Sequence, residues 1–188
     1  MLLVGASDDR SAQVAKELYS TVVESDPYYA LMGLTNAEIT KLSLNCYVTM
    51  KISFANELAA ICENIPGADI DVVTTAIGAD ARVGRKYLKG GLGFGGPCFP
   101  RDNLAFQRCA EDAGTCVHLS PRVVEVNGEV VDRLFAMVGR HVPPGSTIAL
   151  LGLSYKPGTH IVEESQSLTL AERLLEAGYT VRMHDPKA

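Results

Sequence analysis

Between Asn36 and Ile65 the chain runs without glycine or proline, and its apolar residues fall at threes and fours: Ile39, Leu42, Cys46, Met50, Phe54, Leu58 and Ile61. That period predicts one long helix, of about thirty residues and ~45 Å at ~1.5 Å per residue. Thr35 or Asn36 is the expected N-cap, with Glu38 near the capping-box position. Such a helix exceeds what a small domain needs. Leu44, Tyr47, Val48 and Ile52 widen its apolar surface, so it reads as a spine with a second partner, most simply another copy of the chain. Lys41, Asn45 and Thr49 interrupt it as a polar row spaced by four, and Asn56 and Glu57 form a further polar pair. A solvated face is the ordinary explanation of such a row.

Shorter patterns surround the spine. Leu2-Leu3-Val4-Gly5 predicts a buried strand, and Ser7-Asp8-Asp9 can cap a helix over Arg10 to Val23. One strand and one helix do not make a stable layer, so residues 1–33 either lean on the next domain or lack something upstream. Asp69 to Gly78 predicts a short helix ending at glycine. Arg101 to Ala113 predicts another, with Pro100 at its first position. A third opens at Ser120-Pro121 and runs to about His141, with Val123, Val124, Val130, Leu134 and Val138 inward. Pro143-Pro144-Gly145 ends it and marks a domain boundary.

Beyond the boundary the period changes. Thr147 to Leu151 predicts a continuous buried strand, Ser165 to Ala177 a helix stopped at Gly178, and Thr180 to Asp185 a second strand. This βαβ unit opens a doubly wound, Rossmann-like parallel sheet, and two strands are too few to finish it. The expected fold is therefore mixed α and α/β. Residues 34–143 form a central helical domain, and 144–188 begin an α/β domain that the chain leaves incomplete.

Composition narrows the function. The 188 residues carry a net charge of −5, which argues against nucleic acid as a partner. No apolar run approaches the ~18 residues of a membrane span, and the N-terminus has no signal-peptide pattern. Five cysteines, an odd number without a C-x-x-C pair, predict free thiols in a reducing compartment, hence the cytoplasm. The histidines make no metal-ligand spacing.

The chemistry concentrates in Gly90 to Asp102. Five glycines in seven residues allow a backbone to approach a ligand closely and to take positive φ. Behind them Cys98 stands between Pro97 and Phe99-Pro100, ahead of a predicted helix start, where orphan N–H groups and the macrodipole favour an anion such as a thiolate. A buried, inert cysteine is the alternative for a lone residue. Gly91, Gly93 and Gly96 also spell G-x-G-x-x-G, but the approach Arg82 to Lys89 is too charged for the strand that a dinucleotide fingerprint needs. The basic run Arg82, Arg85, Lys86 and Lys89 is either solvated or a place to hold phosphate.

Glu38-x-x-Lys41-x-x-x-Asn45, the loop Gly93 to Asp102, and Tyr155-Lys156-Pro157 occur in that order with spacings that resemble the nucleotide-sugar 6-dehydrogenases, most closely the members that oxidise UDP-glucose. GDP-mannose or a UDP-N-acetylhexosamine stays open as substrate, as does a non-catalytic dimerisation or sugar-nucleotide-binding module. The resemblance implies oxidation of a sugar C6 alcohol to a carboxylate with two NAD per turnover. It implies Cys98 as the nucleophile forming a thiohemiacetal and then a thioester, Lys41 as oxyanion stabiliser, and Asn45 and Asp102 as water-orienting groups, Asp102 also as base. It further implies Tyr87, Lys89, Gly93, Phe94, Gly95, Phe99, Tyr155 and Lys156 as sugar-nucleotide contacts. Arg82 would reach a neighbouring subunit's substrate, Arg101 would lie toward the cofactor, and a homodimer would form through the helix Asn36 to Ile65. The three segments are expected to meet at one cavity. Residues 1–33 resemble only the last piece of the family's NAD-binding domain, so this chain alone is expected to be inactive. His160-Ile161-Val162-Glu163 replaces a segment that carries Asp and Arg in many members, which makes cofactor contact there doubtful.

Overall fold

Ten elements follow one another in the computed structural model, which describes residues 1–188. They form two compact units, Met1–Asn45 and Cys46–Ala188, and the division falls inside a helix.

The first unit opens with β1 (Leu2–Ala6), α1 (Asp9–Val22) and β2 (Tyr29–Gly33). Asp8 caps α1, its Oδ1 accepting from the Ser11 N–H at 2.9 Å. β2 was not expected. It pairs parallel with β1 from Leu2↔Tyr29 to Ala6↔Gly33, so residues 1–33 contain a strand–helix–strand unit rather than a strand and a helix alone. Alternate residues of Tyr29 to Gly33 pair their N–H groups and carbonyls in that ladder. α2 (Leu34–Glu63) then starts at the very next residue. The expected caps Thr35 and Asn36 are therefore already helical, because the end of β2 leads straight into the first turn.

α2 has the predicted length, thirty residues, but not the predicted inner face. Thr49, Ser53, Ala55, Asn56 and Ala59 are buried, whereas Ile39, Phe54 and Ile61 of the expected stripe are about half exposed, as are Leu44 and Tyr47. The physical reason is that the inward positions serve as short polar bridges to neighbouring chain. Ser53 Oγ donates to the Val123 carbonyl at 3.0 Å, and the Asn103 amide donates to Thr49 Oγ1 at 3.0 Å. A side chain with a polar end is tolerated in the interior when that end is paired.

In the second unit α3 (Ile70–Ala79), α4 (Phe99–Asp112) and α5 (Leu119–His141) follow. Asp69 caps α3 through the Asp71 and Val72 N–H groups. Gly78 lies within α3 rather than ending it. A Cβ there would sit 2.9 Å from Arg85 Cα, so its glycine serves packing. The buried stripe of α5 includes Val126 and Val131 beside the expected Val123 and Val130, while Val124 is only half-buried.

β3 (Thr147–Leu151), α6 (Gln166–Glu176) and β4 (Thr180–His184) complete the parallel βαβ unit. Val131, Leu170, Leu174 and Tyr179 form its core, with Leu134, Phe135, Val138, Ile148, Leu150 and Val181 packed around them. β3 is not buried throughout as expected. Alternate residues turn outward and Leu151 is 82% exposed, because α5 and α6 cover one face of this sheet. No helix is long and apolar enough to cross a membrane.

Candidate active site

The glycine segment lies in the second unit, between α3 and α4, and side chains from distant helices hold its approach. Lys51 Nζ donates to the carbonyls of Val83 and Gly84 at 2.9 and 2.8 Å, and an Arg85 guanidinium N–H donates to the Leu88 carbonyl. Leu88 is 1% exposed and plugs the segment into the interior. Tyr87, just before it, has φ +64 without being glycine, a left-handed conformation that costs about 1–2 kcal/mol. Its ring meets Phe99 edge-on at 6.5 Å, and Phe94 meets Phe99 in the same manner at 6.2 Å. Tyr87 and Phe94 thus both pack against the residue that follows Cys98 in the chain.

Protein atoms fill the space beside Gly93, Gly95 and Gly96. A Cβ on Gly93 would lie 2.1 Å from Asn127 Oδ1, on Gly95 2.1 Å from the Glu164 carbonyl oxygen, and on Gly96 2.5 Å from the Tyr155 ring. Gly96 N–H also donates to the Glu163 carbonyl at 2.9 Å. Absent side chains at these positions admit the 155–166 segment of the α/β domain rather than a ligand. The G-x-G-x-x-G run is preceded by turns and no strand, as its charged approach predicts.

Cys98 is the N-cap of α4, exposed, in helical conformation and without a side-chain cap bond. Phe99 takes the first helical position and Pro100 the second, one later than expected. Asp102 is one turn on and 3% exposed. Its N–H donates to the Cys98 carbonyl at 2.8 Å, and Arg101 Nη2 lies 3.4 Å from its carboxylate. Next to it Asn103, with no exposure, ties α4 to its surroundings. Its Nδ2 donates to the Phe99 carbonyl at 2.9 Å and its Oδ1 accepts from Ser120 Oγ at 2.8 Å. This network sets the first turn of α4, and Cys98 and Asp102 with it.

Tyr155 and Lys156 leave the end of β3. Asp185, at the end of β4, accepts from the N–H groups of Leu153 and Ser154 at 2.7 and 2.9 Å, and those bonds hold its carboxyl well below the usual carboxylate range. Lys156 Nζ stands 5.4 Å from the Tyr155 ring centroid, a cation–π separation. Lys89 is exposed. Arg82 is not drawn to the loop: its guanidinium pairs with Asp80 at 2.6 Å, which lowers the Asp80 carboxyl and raises the arginine. Lys41 and Asn45 stand one turn apart on α2 in the first unit, Lys41 exposed and Asn45 half-buried.

Several residues that shape the site carry no motif: Lys51, Asn56, Asn103, Asn127, Gln166 and Asp185. A polar residue inside an otherwise apolar helical stretch, as at Asn56, is the one signal that could have pointed to them.

The residues present do not fit a dinucleotide. At the C-terminal ends of β1 and β2 a cleft of about 430 Å³ is lined by Ser7, Asp8, Asp9 and Gln13 among others. Asp8 already occupies the α1 N-terminus, and its hydrogen bonds to Ser11 keep its carboxyl below the ordinary value, so a pyrophosphate there would meet negative charge. No group of three or more His, Cys, Asp or Glu side chains is placed to hold a metal ion.

A cysteine at a helix start, with a parallel βαβ unit packed on the same glycine loop, defines a mixed α and α/β architecture built around that loop. The chain belongs to the UDP-glucose/GDP-mannose dehydrogenase family: the family's central domain matches residues 35–129 and its UDP binding domain residues 149–188. It is 37% identical over 193 residues to the UDP-glucose 6-dehydrogenase TuaD of Bacillus subtilis, covering 99% of this chain and 40% of that protein. A UDP-glucose 6-dehydrogenase of Pseudomonas aeruginosa is 36% identical, with 100% and 42% covered. A solved UDP-glucose dehydrogenase from Pyrobaculum islandicum superposes with a TM-score of 0.89 at 36% identity, over 99% of this chain and 43% of that one. The chain thus spans about two fifths of the length of these relatives.

Proposed function

We propose that these residues supply the nucleophile and much of the sugar-nucleotide site of an oxidoreductase that converts the C6 alcohol of UDP-glucose to the carboxylate, with NAD as hydride acceptor. One observation carries this: an exposed cysteine at the N-cap of α4, with a buried carboxylate one turn on, in a chain that belongs to this family. The two hydride transfers are not assigned to residues of this chain.

What the chain does lies between and after them. The Cys98 thiolate adds to the C6 aldehyde carbon, a C–S bond forms, and the carbonyl electron pair moves to oxygen, where the Lys41 ammonium stabilises it. That gives the thiohemiacetal, which the second oxidation makes a thioester. Asn45 and Asp102 then orient a water, and Asp102 takes its proton as it attacks. The C–S bond breaks, Cys98 leaves as thiolate, and the carboxylate is released. Tyr87, Phe94 and Phe99 contact the sugar, while Tyr155 and Lys156 hold the nucleotide. The exposed Leu44, Tyr47, Phe54 and Ile61 of α2 support a homodimer along that helix, with Arg82 reaching the neighbouring site. Cys62, Cys98, Cys109 and Cys116, none of them in a disulfide, support a cytoplasmic location.

Iodoacetamide labelling, read peptide by peptide by mass spectrometry, tests this. Cys98 is expected to react ahead of Cys46, Cys62, Cys109 and Cys116 near neutral pH, and saturating UDP-glucose to slow it by about tenfold or more. Equal rates with and without UDP-glucose would overturn the substrate. An unreactive Cys98 would point to a non-catalytic module, and parallel runs with GDP-mannose and UDP-N-acetylglucosamine separate the sugars.

A further inference from the structure

We propose that Asn56, Asn127 and Gln166 form a clamp of side-chain amides that makes the position of the glycine loop, and through it Cys98, depend on the docking of the 155–166 segment. The three residues come from α2, α5 and α6. Asn56 Oδ1 accepts from Gly91 N–H at 3.0 Å, Gln166 Oε1 from Gly93 N–H at 2.6 Å, and Asn127 Oδ1 from Phe94 N–H at 2.7 Å. Asn127 Nδ2 returns a bond to the Phe94 carbonyl at 2.9 Å, so this residue holds both backbone groups of Phe94. Gln166 Nε2 donates to the Asn127 carbonyl at 2.6 Å. The first residue of α6 therefore bridges α5 and the loop, using both ends of one amide.

Three features make this more than ordinary packing. The N–H groups of Gly91, Gly93 and Phe94 have no strand partner, and these amides satisfy them. Gln166 and Asn56 are 9% and 1% exposed, so an apolar replacement would bury unpaired loop N–H groups. The backbone on the other side is strained to suit: Glu164 takes φ +52 and brings its carbonyl against Gly95. Such conformations persist when the surroundings over-determine them.

The path to the sulfur is short. Phe94, 5% exposed, meets Phe99 edge-on, and Phe99 follows Cys98 in the chain. Gln166 and Asn127 are thus positioning residues: undocking the α6 N-terminus releases Gly93 and Phe94 and loosens the start of α4. The link to chemistry rests on the function proposed above. A nucleotide sugar held by Tyr155 and Lys156 would, through this clamp, fix the nucleophile.

Amide hydrogen exchange and iodoacetamide labelling of the wild-type protein, Gln166→Ala and Gln166→Glu test it without added ligand. In Gln166→Ala the Gly93 amide is expected to exchange about tenfold faster or more, with Leu150 and Leu174 unchanged. Cys98 labelling relative to Cys116 in the same molecule should rise at least about threefold as the loop opens. Gln166→Glu keeps an acceptor for Gly93 but loses the donor to the Asn127 carbonyl and sets a carboxylate against it, so its Gly93 exchange and Cys98 labelling should fall between those of wild type and Gln166→Ala. Unchanged Gly93 exchange and Cys98 labelling in Gln166→Ala would overturn the proposal, as would acceleration shared equally by Leu150 and Leu174, which marks general loosening. If Gln166→Ala does not fold, Gln166→Met, equal in length but without the amide, carries the same expectations. Protection of wild-type Cys98 by UDP-glucose is a separate result, and its failure would leave the clamp standing.

Discussion

Alanine in place of Gly95 is expected to destabilise the protein by about 3 kcal/mol, at the upper end of what overpacking costs. The added methyl would sit 2.1 Å from the Glu164 carbonyl oxygen, a backbone atom that has no rotamer by which to yield. Either the loop or the 162–165 turn has to move, and the Gly96–Glu163 backbone bond is lost with it. Gly128, in the middle of α5, is the control: nothing lies within 4 Å of a Cβ built there. Gly128→Ala is expected to stabilise by roughly 0.5–1 kcal/mol through helix propensity. Urea unfolding of the two variants beside wild type checks both, and a neutral Gly95→Ala would show that the loop and the α/β domain are not packed as described.

Asn103→Ala is the second large effect, about 2–4 kcal/mol. The residue is fully buried, and its amide bonds to Thr49, Phe99 and Ser120. Truncation takes one partner from each of two hydroxyls and a carbonyl in the interior, while both hydroxyls still donate to backbone carbonyls, so the cost is that of the lost bonds and of the cavity together. Asn103→Asp tells the same story from the other side: it keeps the acceptor for Ser120 but loses both donated bonds, and adds charge beside Asp102. Thermal unfolding should place it below wild type as well. An Asn103→Ala loss under about 1 kcal/mol would mean that water replaces the amide and that the network does not hold α4 in place.

How far the sequence reaches is clear at particular residues. The length of α2 was legible, because thirty residues without glycine or proline leave little choice. Its inner face was not, because Thr49, Ser53 and Asn56 are polar by type and buried by virtue of partners on other elements. β2 escaped notice since Tyr29 to Gly33 is a short run that abuts the next helix with no turn between. The parallel βαβ unit after Pro143 was legible from its change of period. What its two strands hid was that α5 and α6 pack on one face of the sheet, with Leu151 on the side away from them.

The glycine loop stood out at once, yet for a partly different reason than its structure gives. Glycine was expected where a ligand approaches; at Gly93, Gly95 and Gly96 the approaching atoms are the protein's own. Gly93 meets Gln166, 73 positions away, a range over which neither periodicity nor propensity carries information. Cys98 and Asp102 were legible together because one turn of helix separates them, and that spacing survives whatever the surroundings do.

Whether Cys98 attacks the sugar is decided by where C6 of UDP-glucose lies when the nucleotide is bound, and a crystal structure of that complex measures it. The expected result places C6 about 3–3.5 Å from Cys98 Sγ, the separation of a near-attack pair, with the uridine diphosphate along Tyr155 and Lys156. A nucleotide sugar seated away from α4, or one whose C6 points away from the sulfur at more than about twice that separation, would contradict it.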